Sequence, residues 1–284
     1  MADHHRGALR RRSSLFLLGG KMAISLGSLK STTRLSPPIT LLYGVDGVGK
    51  SSLAAEFPDA IYISTAGERP PSDVELPTPG DIETWEDLKN VVGELLSEDH
   101  QFKTVIFDSL DGLEPIINAE TCARIGADSI GSNDKGSPAA FGQGDVQGDV
   151  EWGEFMDACA SLTDRGIAVV LLAHPEIKRF DSPVTDPYDR YQVKLRKRAA
   201  ALVRERSDIV AFLNYRVSLK SKEVGIKKEV THAEGGKERQ IHLTEGAGFV
   251  AKNRYSMPDA ITYKKGKGYE ELAKFFPAPT GIAA

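Results

Sequence analysis

Lys50 and Ser51 close the run Gly44, Val45, Asp46, Gly47, Val48, Gly49, Lys50, Ser51, a G-x-x-x-x-G-K-S spacing that Ser52 follows. A run of this kind can hold a polyphosphate. Glycines at 44, 47 and 49 let the main chain approach an anion closely, so that successive N–H groups and the start of the next helix point at negative charge. Lys50 then reaches the β- and γ-phosphates, and Ser51 offers its hydroxyl to Mg²⁺. The cofactors read from this stretch are ATP and Mg²⁺. A glycine-rich turn with an incidental lysine has the same letters, but it needs neither the strand-like "ITLLY" before the run nor the helix-like "SSLAAEF" after it.

Three more side chains stand where such chemistry would need them. Asp108 ends the apolar run "TVIFD", the place of an acid that holds Mg²⁺ directly or through water, although an acid there can also cap the next helix. Glu68 lies just past "AIYIS", where a general base can orient and deprotonate a water attacking the γ-phosphate; a merely solvated acid of "TAGERPPSD" is the alternative. His174 ends "AVVLLAH", where it can contact the γ-phosphate and report it to the segment that follows, or simply be satisfied by neighbouring backbone.

These groups have to be positioned by a frame, and the chain supplies one. Strand-like runs at 39–43, 60–64, 103–109 and 166–175 alternate with helix-like runs. Among the latter, "TWEDLKNVVGELLSED" places Leu88, Val91, Val92, Leu95 and Leu96 on one helical face, and "EWGEFMDACASLTDR" reads as another helix. Alternation of this kind predicts an α/β fold, a mainly parallel central sheet with helices on both faces. Ligands in such sheets sit at the carboxyl ends of the strands, which is where the four polar groups lie. Beyond Asp208, "DIVAFLNYRVSLK", "KEVTHAEGGKERQIHLTEG" and "GFVAKNRY" read as antiparallel strands extending the sheet, the middle pair joined through "AEGGKE". "KGYEELAKFFP" reads as a short helix.

With 40% hydrophobic and 27% charged residues in 284, the composition is that of a soluble globular protein, and no run reaches membrane-spanning length. Two cysteines, Cys122 and Cys159, suggest no disulfide framework and read as small buried residues of a reduced, cytoplasmic protein. Residues 1–35 are basic, rich in Ser and Gly and without periodicity, which predicts a disordered tail; the apolar core of "SLFLLGG" is too short for export, and Met22 is an alternative start. The predicted ATPase domain spans 36–277, with a loose tail at 278–284.

The net charge of −4 hides a polarised chain. Glu56 to Asp157 carries 23 acids against 5 bases, and Ile177 to Gly268 carries 21 bases against 11 acids. A basic half on an acidic protein suits a nucleic-acid groove, although scattered solvated lysines give the same count. In "IKRFDSPVTDPYDRYQVKLRKR", Lys178, Arg179, Arg190, Lys194, Arg196 and Lys197 are interleaved with Phe180, Tyr188 and Tyr191. Cations for phosphates and aromatic faces for bases make a single-strand channel, and the prolines predict a loop until about Leu195. The stretch from Gly126 to Trp152 reads as a second flexible loop; being acidic, it either faces DNA indirectly or lies near a subunit interface.

In Gly44 to Ser51, the acid after the second strand, "TVIFDS", "LLAHPEIKR" and "FVAKNRYSMP", the chain resembles the RecA-like P-loop nucleotide-binding proteins of phages, an AAA-type group that includes Sak-type single-strand annealing proteins. The resemblance covers roughly residues 36 to 277. It implies that Glu68 is the catalytic glutamate and that His174 couples nucleotide state to a DNA-binding segment, here Glu176 to Lys194. "KNR" is similar to the Lys-Asn-Lys of bacterial recombinases, which implies that Lys252 and Arg254 reach ATP bound to a neighbouring subunit, linking ATP binding to self-association in a ring or filament. The activity implied is ATP hydrolysis coupled to single-stranded DNA in phage recombination or annealing, in the host cytoplasm, with a single-strand-binding protein as a further partner. The rival is a nucleotide-switched assembly protein whose basic face binds another protein. A small-molecule kinase is less favoured, since no arginine-rich lid motif is found.

Overall fold

Apolar residues fill 39–44, 60–65, 104–108 and 168–173 almost without alternation, the pattern of strands covered on both faces. A computed structural model of the chain describes residues 36–223 and 229–277. The two tails expected at 1–35 and 278–284 lie outside the described residues.

The central sheet contains β1 (Ile39–Gly44), β2 (Ala60–Thr65), β3 (Asp81–Ile82), β4 (Thr104–Asp108) and β5 (Ala168–Ala173). A separate hairpin follows, β6 (Pro175–Phe180) and β7 (Tyr188–Val193), and then the sheet resumes with β8 (Ile209–Glu223), β9 (Glu229–His242), β10 (Lys252–Asn253) and β11 (Ala260–Tyr263). Across the sheet the order is β11-β9-β8-β1-β5-β4-β2-β3, with β10 also on β8. Strands β8, β1, β5, β4, β2 and β3 run parallel, and β9 is antiparallel to β8 and to β11.

Helices cover both faces. On one side α2 (Trp85–Ser97), α3 (Leu110–Ile125), α5 (Asp149–Asp164) and α6 (Lys197–Arg206) enclose a core with Phe107, Trp152 and Phe155. On the other, α1 (Lys50–Ala54) and α7 (Gly268–Ala273) pack around Leu53, Phe57, Tyr62 and Leu272. The helix expected at 84–99 is α2, started by a capping box in which Thr84 accepts from the Asp87 N–H while Asp87 accepts from the Thr84 N–H. The C-terminal helix is held by Glu56, whose carboxylate accepts the N–H groups of Gly266, Gly268 and Tyr269. Cys159 is buried and Cys122 half-buried, both as free thiols.

Four sequence expectations are corrected. First, β8 is not antiparallel throughout: it lies parallel to β1, with Gly44 opposite Leu213. Second, "AEGGKE" is not a turn but part of β9, with Gly235 opposite Val217, and the glycines fall beside a register shift between Tyr215 and Val217. The connection at 224–228 lies outside the described residues. Third, the predicted loop at 177–195 is the β6–β7 hairpin, because Pro183 and Pro187 fall in its connection and Pro175 occupies the first position of a strand, where no ladder N–H is needed. Fourth, the stretch from Gly126 to Trp152 carries a 3-10 turn (Ala140–Gly142) and α4 (Gln143–Gln147), and buries Ile130, Ala139 and Ala140.

Candidate nucleotide site

The glycine-rich run connects the end of β1 to α1, at the carboxyl edge of the sheet. Gly44 has no room for a side chain: a Cβ there would lie 2.1 Å from the Leu213 carbonyl oxygen on β8. Gly49, with φ of 99°, occupies the left-handed region as the N-cap of α1, a turn into the helix that a residue with a side chain rarely adopts. Asp46 and Gly47 are exposed at the crest, while Val48 is buried and anchors the loop.

Lys50 Nζ folds back onto the loop, donating to the Gly44 carbonyl at 2.8 Å and the Val45 carbonyl at 3.4 Å. Burial lowers its pKa, against the opposing pull of Asp46, Asp108, Asp111 and Glu68. A desolvated ammonium of this kind gains from an anion in the loop. Ser51 donates its hydroxyl to Asp108 Oδ2 at 2.8 Å, and the Tyr62 hydroxyl donates to the same oxygen at 2.8 Å. Burial raises the Asp108 pKa, partly offset by these two hydrogen bonds. Among the described residues no group of three or more His, Cys, Asp or Glu side chains could hold a metal alone. Ser51 and Asp108 offer two oxygens, and P-loop magnesium takes its remaining ligands from phosphate and water. The residues present therefore fit a magnesium-bound nucleotide.

His174 follows β5, the strand between β1 and β4, and thus stands between the loop and Asp108. Its backbone N–H donates to Asp111 Oδ1 at 3.0 Å, its Nδ1 lies 2.9 Å from Asp111 Oδ2, and its Nε2 lies 3.8 Å from Glu68 Oε1. Burial alone would raise the Asp111 pKa, but the His174 N–H and ring outweigh it and hold the carboxyl below its usual value. The Glu68 pKa is raised, by burial first and then by the charge of Asp108. Ser64 holds the Glu68 carbonyl at 2.7 Å and bonds Asp81, fixing the turn that presents Glu68.

The hairpin leaves from the same point. The Lys194 N–H donates to the His174 carbonyl at 2.9 Å, closing the hairpin root on that residue. A cleft of about 500 Å³ lies alongside, lined by Val45, Asp46, His174, Pro175, Glu176 and Lys194. The register pairs Lys178 with Arg190 and Phe180 with Tyr188, and strand alternation puts all four on one face. There the Arg190 guanidinium lies 3.8 Å from the Phe180 ring centroid, and Phe180 meets Tyr188 edge-on. Tyr191 is turned to the opposite face and stacks on Phe212 of β8, so it belongs to the core rather than to a channel.

The remaining basic residues differ in their commitments. Lys178 pairs with Glu176 at 2.6 Å, exposed Arg179 with Asp181 at 3.1 Å and Arg190 with Glu245 at 2.8 Å. Lys194 lies 3.8 Å from Asp111, and Lys197 is exposed. Arg196 pairs with Asp145 at 2.8 Å, and Arg198 with Asp149, so the acidic stretch is docked on α6 by the basic one. Lys252 donates to the Glu205 carbonyl at 3.0 Å and Arg254 to buried Asp208 at 3.1 Å. Both sit where β8 begins, at the opposite edge of the sheet from Gly44 to Ser52. Sequence reading missed Asp111, whose signal was an acid three positions after Asp108, in the first turn of α3, and Tyr62, which bonds Asp108 from β2.

A phosphate loop leaving the first strand, a serine bonded to a strand-end acid, and a mainly parallel α/β sheet define a P-loop NTPase. The AAA domain family matches the chain over residues 36–255, and the chain belongs to that family. Membership points to nucleotide binding and ATP hydrolysis with Mg²⁺. No curated protein matches the chain. No helix among the described residues is long and apolar enough to cross a membrane.

Proposed function

We propose that the protein is a RecA-like ATPase acting on single-stranded DNA in phage recombination or annealing, in the host cytoplasm. The observation that carries the reading is the position of His174, bonded to Asp111, facing Glu68 and closing the root of a hairpin with one basic and aromatic face.

When bound, ATP would supply the electrophilic phosphorus and its ADP leaving group, and Mg²⁺ would neutralise the charge on the phosphate oxygens. Lys50 and the loop N–H groups would hold the phosphates, and Ser51 and Asp108 would hold the metal. Glu68 takes the proton of the attacking water at a carboxylate oxygen, for which its raised pKa makes it a better base. His174 senses the occupied site and passes it to the hairpin through its own main chain, where Lys178, Phe180, Tyr188 and Arg190 meet phosphates and bases. Lys252 and Arg254 serve a neighbouring subunit, which fits their distance from their own loop and links ATP to assembly. A single-strand-binding protein is a further partner in this reading.

One observation favours a second reading, in which the hairpin binds another protein. Ile177 and Val184 are 62% and 86% exposed, apolar side chains that suit a protein surface. Fluorescence anisotropy of a labelled single-stranded oligonucleotide, with and without Mg²⁺ and ATP, separates the two. ATP-dependent, salt-sensitive binding lost in Lys50→Ala supports the DNA reading. Absence of binding under every condition rejects it and leaves the protein-partner reading.

A further inference from the structure

Arg239 differs from the other arginines near the sheet. Arg190, Arg196, Arg216 and Arg254 all face carboxylates, whereas among the described residues no carboxylate lies within ion-pair distance of Arg239. It is half-buried on β9, with its guanidinium 5.7 Å from the Tyr263 ring centroid. A Cβ built on Gly49 would lie 2.9 Å from Arg239 Nη1 and 3.3 Å from the Tyr263 ring, so the guanidinium packs directly on the N-cap of α1. Its cross-strand partner on β8, Tyr215, donates its hydroxyl to the Gly47 carbonyl at 3.2 Å. The β8–β9 ribbon therefore touches the loop at both glycines.

Stacking on the Tyr263 ring suits a guanidinium but leaves its charge unopposed among the described residues, so it can take an anion as a counter-charge. What lies within reach is the anion-collecting end of the loop. We propose that Arg239 is a nucleotide-binding residue, a cation from the same chain that contacts the phosphate chain held by Gly44 to Ser52, with Tyr215 fixing the loop against the ribbon that carries it. This inference rests on the nucleotide-binding reading of the loop.

The test is titration with a fluorescent ADP analogue and Mg²⁺, using the full chain, Arg239→Met, Arg239→Lys and Lys50→Ala, with melting curves recorded without nucleotide. Arg239→Met keeps an apolar stem against Tyr263 and removes the charge. Binding about ten-fold weaker in Arg239→Met, with an unchanged melting temperature, a shallower salt dependence and partial recovery in Arg239→Lys, is expected. Wild-type affinity in Arg239→Met while Lys50→Ala loses binding overturns the role of Arg239 and leaves the loop reading standing. A lowered melting temperature with unaltered affinity likewise assigns Arg239 to packing and overturns the proposal. Failure of the wild type to bind, or full binding by Lys50→Ala, overturns the loop reading and this inference with it.

Discussion

His174 directs two of its hydrogen-bonding groups at Asp111, the backbone N–H at 3.0 Å to Oδ1 and Nδ1 at 2.9 Å to Oδ2. The side chain and the main chain of one residue are thus tied to one carboxylate in the first turn of α3, while the carbonyl of the same residue receives the Lys194 N–H. A shift of His174 moves the hairpin root with it.

Because the Asp111 pKa is lowered in the folded chain, its contribution to stability is present above the ordinary carboxylate value and is lost as pH falls through the folded value. Asp111→Asn should therefore destabilise the protein by about 1–3 kcal/mol at neutral pH. The deficit should shrink at the acid end of the carboxylate range. Denaturant unfolding of both forms at the two pH values checks this.

Asp108 has the opposite sign. Its folded pKa is raised by burial, so its contribution is fully favourable below the unfolded pKa and is lost as pH rises through the folded one. Ionisation of the buried carboxyl is therefore a cost that metal binding offsets. Asp108→Asn keeps an acceptor for Ser51 and Tyr62, and should raise the melting temperature of the nucleotide-free protein by roughly 2–4 °C for about 1 kcal/mol. Magnesium-dependent ATP turnover should disappear in the same variant, measured as phosphate release.

Glu68→Gln should cut turnover by about 10²–10⁴ while leaving nucleotide affinity nearly unchanged. With the carboxylate pKa raised, the acid limb of the wild-type rate profile should lie above the ordinary glutamate value, because the base works only when ionised. Single-turnover hydrolysis across the acid range reads both effects.

On the hairpin, cation and ring should separate. Lys178→Ala should weaken single-strand binding and lower the salt slope by about one phosphate's worth. Phe180→Ala should cost about 1–3 kcal/mol at an unchanged slope, since it removes stacking rather than charge. Anisotropy titrations over a salt series distinguish the two.

The sheet strands and the phosphate loop are legible because their signals are local: apolar runs of the right length, and glycines at fixed spacing before Lys50. Asp111 escaped because Pro115 interrupts the helical pattern of α3 and because its partner, His174, is far away in sequence. The β6–β7 hairpin escaped for a related reason, since its prolines mark the connection and not the strands, whose register is set by pairing across it. Tyr191 reads like Phe180 and Tyr188 in sequence, and only strand alternation turns it into the core. The grip of Tyr215 and Arg239 on the loop depends on β8 lying beside β1, a long-range pairing with no local signal.

The central claim is that nucleotide at the loop is felt at the hairpin, and amide hydrogen exchange reads it most directly. With Mg²⁺ and a slowly hydrolysed ATP analogue, the wild type should show slowed exchange both at Gly44 to Ser52 and at Pro175 to Val193. Asp111→Asn should keep the first and lose the second. Protection confined to the loop in the wild type would contradict the account.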